Sequence, residues 1–265
     1  MVLAATGGFL LWFGFFAFNG ASVPDVVGTE FVVTGRIAVV TTLSGATGAI
    51  FLLFFGYFKT KEWDMMLALN GLLAGMIASC SGVNAYEPWV SLIVGVTGSL
   101  AYLLQNHIFE NVLHIDDPLG ASALHGAAGF LGMILVAIFG KPEFMGVEKE
   151  LGGLLYGGDG TLLGWNLLGT VIDAVWGFGA CGVIFVALNY FKAFRVSEEV
   201  EIMGMDMHHH GGHAYPDQHK LEELATTMHG TKFLSESEDA ADEEQPQKQP
   251  LVERKSNSVL PDGAF

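Results

Sequence analysis

A single histidine, His125, lies inside a long apolar stretch of the sequence between Pro118 and Gly140. An apolar environment disfavours a charged imidazole, and a neutral imidazole both donates and accepts hydrogen bonds. His125 could therefore serve as a relay for a small polar solute or a proton. The residues alone equally allow a packed histidine that is hydrogen-bonded to a neighbouring helix.

Two aromatic rings and a hydroxyl recur at helical spacing near the start of the chain. Phe15, Phe18 and Ser22 are three and seven residues apart, so a helix places them on one face. Aromatic faces attract small cations by about 0.5–2 kcal/mol, depending on desolvation. Taken alone, the pattern favours a packed or lipid-facing aromatic stripe over a cation site.

Two carboxylates precede the stretch that contains His125. Asp117 is a suitable N-cap for a helix that has Pro118 at its first position. The carboxylates of Asp116 and Asp117 also favour the positive end of the helix dipole. We interpret the pair as structural, and the sequence predicts a helix from Pro118 onward.

The elements that position these side chains have the composition of a membrane protein. Hydrophobic residues make up 51% of the 265 residues and charged residues only 15%, against about 25% in a typical soluble domain. This argues against an ordinary soluble enzyme. The net charge of −16 argues against a nucleic-acid partner, because phosphate contacts need Lys and Arg.

The apolar windows predict an all-α, multi-pass transmembrane helical bundle over residues 1–192. A spanning helix needs about 20 mostly apolar residues, and its backbone must be satisfied internally. The predicted helices cover residues 1–22, 35–58, 65–82, 88–109, 118–140 and 160–192. Both cysteines, Cys80 and Cys181, fall inside apolar windows and are expected to be buried packing residues.

The tail after residue 192 differs in character from the bundle. We expect it to be cytoplasmic, because four basic residues fall on its side of the membrane and three fall opposite or near it: Lys59, Lys61, Lys192 and Arg195 against Arg36, Lys141 and Lys149. Residues 218–265 are acidic and polar, which is typical of disorder. The histidines of residues 208–213 are interpreted as a solvated loop rather than a metal site, and no cofactor is expected.

Several motifs together resemble the ammonium transporter family (Amt/Mep/Rh). Residues 11–22 read LWFGFFAFNGAS, residues 70–75 read NGLLAG, and residues 116–118 and 125–126 read DDP and HG. Residues 154–158 read LLYGG, residues 195–199 read RVSEE, and residues 204–206 read GMD. Each motif is weak alone, but their order matches the second half of the family, spans six to eleven, together with the cytoplasmic tail over residues 193–217.

The resemblance implies the second inverted repeat of that fold, followed by a final long helix, in a trimer in which each subunit has its own pore. Phe18 and Ser22 match the family's outer ammonium-recruiting residues. Phe15 stands where the family usually has tryptophan, which implies a weaker cation site. His125 matches the second of two pore histidines, whereas the first would lie in a span absent from this sequence. Gly204 and Asp206 match the signature of the tail.

Two classes of function therefore stay open at this stage. The first is ammonium transport across a membrane, expected to be the plasma membrane, by a homotrimer or an assembly with full-length relatives. The second is a non-conducting regulatory or sensor subunit. Because the sequence begins inside a predicted helix, we expect Met1 to be an internal methionine, as in an incomplete gene model.

Overall fold

The computed structural model describes residues 2–23, 30–203, 205 and 209, and within them the chain is all-helical, without a strand. The longer helices are α1 (Val2–Gly20), α2 (Glu30–Thr60), α3 (Met65–Cys80), α4 (Val90–His107), α5 (Ala128–Phe139) and α7 (Thr161–Tyr190). The short helices are α6 (Pro142–Met145) and α8 (Glu198–Met203). π-helical turns occupy Ile108–Leu113 and Ser122–Ala127, and 3₁₀ turns occupy Lys149–Leu151 and Leu154–Tyr156.

Within the described part of the chain, five helical segments are long and apolar enough to cross a membrane. They are Val2–Gly20, Phe31–Thr60, Val90–Leu113, Ser122–Phe139 and Thr161–Tyr190. The sixth apolar helix, Met65–Cys80, has 16 residues and is shorter than the length usually needed to span. The number of spans and the domain limits inferred from the sequence therefore remain predictions.

The centre of the bundle is formed by α2, α3 and α4, which pack backbone against backbone. A Cβ added at Gly71 would collide with the carbonyl oxygen of Gly48, and one at Gly75 with the carbonyl oxygen of Ser44. Glycine is therefore required at both positions. The close approach matters because lipid provides no hydrophobic drive between helices, so membrane helices associate through van der Waals contact. The segment Gly71–Gly75 therefore holds α3 against α2.

The remaining helices attach to this centre by similar close contacts. A Cβ at Gly132 of α5 would lie 2.5 Å from the carbonyl oxygen of Ala78 in α3. In α1, the buried Asn19 donates a 2.9 Å hydrogen bond from Nδ2 to Oγ1 of Thr41 in α2. These contacts bring α1 and α5 onto neighbouring parts of the same core.

One carboxylate, Glu87, ties together the loops at one end of the bundle. It accepts hydrogen bonds from Lys141 Nζ at 2.6 Å, Tyr156 OH at 2.8 Å and Trp89 Nε1 at 2.9 Å. These three donors, Lys141 first, lower the pKa of Glu87 to about 2. Partial burial and the adjacent Glu87 raise the pKa of Tyr156 to about 12.

Two sequence predictions need correction. The helix carrying His125 begins at Ser122, four residues after Pro118, because Gly120 has a left-handed φ of +62° that ends the preceding turn. Cys181 is exposed rather than buried, because α7 has no buried residue in this chain. Cys80 is half-buried, and its thiol donates to the Met76 carbonyl at 3.2 Å.

The chain divides into two compact units, Met1–Ile184 and Phe185–Phe265. Within the second unit, Phe185 and Phe194 pack with ring centroids 5.3 Å apart. Arg195 donates through Nη2 to both carboxylate oxygens of Glu201 in α8, at 2.7 and 2.9 Å. Both partners are exposed, so this ion pair adds little stability.

Candidate functional site

An open cavity of about 770 Å³ lies on the first unit, between α1, the end of α3 and the start of α5. We name it the aromatic cavity. Its α1 wall includes Phe15, Phe18 and Ser22, and its opposite wall includes His125 and Met133. Two regions more than one hundred residues apart in the sequence therefore face the same space.

The α1 wall follows from the helical repeat. Phe15 and Phe18 meet edge to face, with ring centroids 6.1 Å apart and planes inclined by 70°. The Ser22 hydroxyl donates to the Phe18 carbonyl at 3.2 Å, which leaves its oxygen lone pairs available as acceptors. Phe18 is 67% exposed, so its ring is accessible to a solute entering the cavity.

The opposite wall is positioned by Asp117. One carboxylate oxygen accepts a hydrogen bond from the backbone N–H of Ala121 at 2.9 Å, and the other accepts from Ser122 at 2.9 Å and Ala123 at 3.2 Å. These donors are N–H groups that the first turn of a helix leaves unpaired. Asp117 therefore anchors the π-helical turn that carries His125, whereas Asp116 is exposed beside it.

The apolar stretch around His125 favours a buried imidazole, but the residue is exposed in this chain. It lies three residues into its π-helical turn, and its ring has no hydrogen-bond partner among the side chains and backbone groups described. The reason is geometric, since this side of the aromatic cavity is open. The ring nevertheless lines the cavity.

The chemistry of the aromatic cavity is restricted by its walls. Within the described residues, its lining contains no Asp, Glu, Lys or Arg. A cation entering it meets ring faces and a hydroxyl on one wall and an imidazole on the opposite wall, among apolar side chains. Such walls can bind a small solute weakly, but they provide no counter-charge for a bare ion.

Sequence reasoning missed Cys80, Ser81 and Met133, which also line the aromatic cavity. No spacing pattern connects them with α1, because their proximity depends on helix packing. It also missed a second cavity of about 430 Å³, the rim cavity, lined in part by Ser22, Arg36, Asn84, Glu143 and Phe144. Ser22 is common to both cavities.

The tail residues Gly204 and Asp206 lie outside the described residues. Their role therefore remains a prediction from the sequence motif. Among the described residues, no group of three or more His, Cys, Asp or Glu side chains is arranged to hold a metal ion.

The apolar helices and the open cavity define a multi-pass helical membrane protein. Solved structures share this fold. Candida albicans Mep2 superposes with a TM-score of 0.66 at 26% identity, covering 74% of this chain and 43% of that one. A protein described as a sensor Amt protein superposes with a TM-score of 0.68 at 29% identity, covering 77% of this chain and 48% of that one.

Sequence comparison identifies the family. The model of the Ammonium Transporter Family matches residues 1–215, and the chain belongs to that family. Ammonium transporter 1 member 1 of Solanum lycopersicum is 36% identical over 227 residues, which are 80% of this chain and 46% of that protein. Ammonium transporter 3 of Dictyostelium discoideum is 32% identical over 217 residues, which are 81% of this chain and 50% of that protein. The chain thus spans about half the length of these relatives.

Proposed function

We propose that this chain forms the C-terminal half of an ammonium transporter and supplies one wall of its conduction pathway. The observation that carries the proposal is the aromatic cavity, which unites Phe18 and Ser22 with His125. In the sequence these residues form separate patterns, each of which packing alone can explain. Their convergence on one cavity favours a shared role with a solute.

Recruitment takes place at the end of the cavity formed by α1. The faces of Phe18 and Phe15 attract the ammonium cation, and the Ser22 oxygen accepts a hydrogen bond from one of its N–H groups. Apolar walls beyond this point make a bare cation unfavourable. Ammonium therefore transfers its proton to water at the open mouth of the cavity, and ammonia continues into the pathway.

His125 acts further along the same cavity. A neutral imidazole offers one donor and one acceptor, which suits the passage of ammonia along an otherwise apolar wall. The ring lacks a hydrogen-bond partner in the described chain, and an unpaired polar group costs about 1–3 kcal/mol once it is buried. The first half of a full-length transporter supplies both the missing cover and that partner.

The same proposal includes topology and assembly. Six spans over residues 1–192 place the tail, with its signature residues Gly204 and Asp206, in the cytoplasm. The bundle lies in the plasma membrane as a homotrimer or as an assembly with full-length relatives. The basic residues near the tail side of the helices support this orientation.

A non-conducting sensor or regulatory subunit is the second candidate. Its specific support is the 29% identity, with a TM-score of 0.68, to the protein described as a sensor Amt protein. In this case the aromatic cavity binds ammonium and reports its presence without passing it across the membrane.

Uptake of isotope-labelled ammonium by cells without transporters of their own distinguishes the two. We would compare the chain alone with the longest in-frame protein that contains it. In the conducting form, His125→Ala should reduce uptake at least tenfold while assembly stays intact. His107→Ala, at the exposed end of α4 and outside the aromatic cavity, is the matched control.

The recruiting residues have controls on the same helix. Ser22→Ala and Phe18→Ala should raise the ammonium concentration for half-maximal uptake. Thr6→Ala removes a hydroxyl that likewise bonds a carbonyl four residues earlier, and Phe13→Ala removes a similarly exposed ring, both outside the cavity. Unchanged uptake in His125→Ala would refute the relay, whereas ammonium binding without uptake would support the sensor.

A further inference from the structure

A fixed positive charge stands beside the proposed recruitment site. Arg36, in the second turn of α2, lines the rim cavity together with Ser22. Helix α2 has 31 residues, and at about 1.5 Å per residue it is longer than the ~30 Å hydrocarbon layer. Its ends therefore extend beyond the apolar core of the membrane, which places Arg36 near the aqueous rim.

The guanidinium is held in place from two sides. Its Nη2 donates to the Asn84 carbonyl at 2.8 Å, and its Cζ lies 3.5 Å from the centroid of the Phe144 ring. Its Nε is shielded from solvent and has no hydrogen-bond partner among the described residues. The charge therefore cannot swing freely into water, as the charge of a surface arginine does.

Among the described residues, the Arg36 guanidinium has no ion-pair partner, unlike the neighbouring cation. Lys141, whose Nζ lies 4.9 Å from the same Phe144 ring, is neutralised by Glu87 at 2.6 Å. No described carboxylate lies within 4.0 Å of Arg36. Glu143 lines the same cavity but is exposed, so water screens its charge more strongly.

We propose that Arg36 is a specificity-determining residue that discriminates between monovalent and multivalent cations at the mouth beside Ser22. The inference rests on the proposed function, since it assumes that Ser22 receives a cation. Electrostatic work is proportional to the charge of the approaching ion. The guanidinium therefore repels a divalent cation twice as strongly as ammonium, and the aromatic cavity stays free of ions that it cannot conduct.

The size of the rim cavity sets the strength of this effect. A compact space of about 430 Å³ is about 10 Å across, and we take this as the separation of the Arg36 guanidinium and Ser22, which both line it. Through a partly hydrated rim, a unit charge at that range lowers the local concentration of a monovalent cation roughly threefold and of a divalent cation roughly tenfold.

The local potential can be measured without any transport. Ser22→Cys provides a reporter thiol in a Cys80→Ser, Cys181→Ser background of the full protein in lipid vesicles. Its rates of reaction with a trimethylammonium and a sulfonate methanethiosulfonate are compared. Arg36→Gln should increase the ratio of the cation rate to the anion rate roughly tenfold. Arg36→Lys, which keeps the charge, should leave that ratio unchanged.

Raising the salt concentration distinguishes an electrostatic effect of Arg36 on the rate ratio from a structural one. At about 1 M salt the Debye length is about 3 Å, so the difference between Arg36 and Arg36→Gln should disappear. A ratio that does not change in Arg36→Gln at low salt would overturn the proposal. A change in this ratio that is equally large in Arg36→Lys would also overturn it, and so would a change in Arg36→Gln that persists at 1 M salt. Both results would indicate a structural rearrangement of the rim cavity instead of a charge effect.

Uptake measurements then test the consequence for selection. In Arg36→Gln, external Mg²⁺ should inhibit ammonium uptake at roughly tenfold lower concentrations than in the unmodified protein or Arg36→Lys. Equal Mg²⁺ inhibition in all three would overturn the proposal. If the unmodified protein takes up no ammonium, the proposed function fails, whereas the thiol ratio still decides the role of Arg36.

Discussion

The helices α3 and α7 carry similar apolar sequences but have opposite environments. Half of the residues of α3 are buried, including Gly71, Gly75 and Met76, in contact with α2 and α4. In contrast, α7 has no buried residue along its 30 residues, and Trp176 is 77% exposed. A cross-helix hydrogen bond, from Asn166 Nδ2 to the Met133 carbonyl at 3.0 Å, attaches the first part of α7 to α5.

This difference shows that hydropathy alone does not determine burial in such a chain. In water, the exposed rings of α7 would favour aggregation, whereas in lipid they cost little. What distinguishes α3 is the placement of glycines opposite other backbones. Packing energy should therefore be concentrated in α2–α4, and substitutions of the same kind should have unequal effects in the two regions.

The largest effect is expected for Gly71→Ala. The added methyl group collides with the Gly48 carbonyl oxygen, so α2 and α3 must separate, and overpacking of this kind costs about 1–3 kcal/mol or more. The loss should appear as a lower unfolding free energy in detergent or in mixed micelles.

The matched control for this substitution is Gly177→Ala in α7. A Cβ at Gly177 meets nothing within 4 Å, and alanine favours a helix over glycine by about 0.5–1 kcal/mol. Stability should stay constant or rise slightly. Equal losses in the two variants would contradict the contrast between α3 and α7.

An intermediate effect is expected for Asn19→Ala, at the junction of α1 and α2. Asn19 is 1% exposed, and its removal leaves the buried Thr41 hydroxyl without this partner, at a cost of about 1–3 kcal/mol. Unfolding monitored by tryptophan fluorescence would measure the loss. Thr6→Ala on the same helix should change stability by less than about 0.5 kcal/mol, because Thr6 is exposed. Equal stability of Asn19→Ala and Thr6→Ala would show that the hydrogen bond from Asn19 to Thr41 does not stabilise the packing of α1 on α2.

The smallest effect is expected in the loops, for Glu87→Gln. Its pKa in the folded protein is lowered to about 2 from 4.5, so the ionised form stabilises the fold above pH 4.5, and this contribution is lost as the pH falls towards 2. For a partly exposed ion pair we expect about 1 kcal/mol at neutral pH.

The pH dependence provides the test of this loop network. The difference in unfolding free energy between the unmodified protein and Glu87→Gln should be constant from pH 7 to 5 and shrink between pH 4.5 and 2. Glu150→Gln, an exposed residue outside the hydrogen bonds of Glu87, is the control. A difference that grows on acidification would contradict the lowered pKa.

The all-helical architecture and the family were predictable from the sequence, because apolar windows and ordered motifs are local patterns. The packing was not. Gly71/Gly75 and Gly160/Gly164 have the same spacing, yet only the first pair lies against another backbone. Gly160 instead precedes α7 with a φ of +92°, and a Cβ added at Gly164 would meet nothing within 4 Å.

The limits of the candidate site have the same origin. Helical spacing predicted that Phe15, Phe18 and Ser22 share a face, and the structure places all three in the aromatic cavity. The position of Arg36 between Asn84 and Phe144 joins residues 48 and 108 positions apart, and no local pattern encodes such a contact. The late start of the His125 helix depends on a single left-handed glycine, Gly120.

The π-helical turn Ser122–Ala127 also limits how the length of this chain can change during evolution. A π-helical turn closes its hydrogen bonds over five residues rather than four, so it acts as a one-residue insertion in an α-helix. Deleting one residue there would turn His125 by about 100° relative to α5. The ring would leave the wall that it shares with Gly129 and Met133, although no cavity residue had been replaced. Homologous genes should therefore tolerate substitutions in this turn more readily than insertions or deletions.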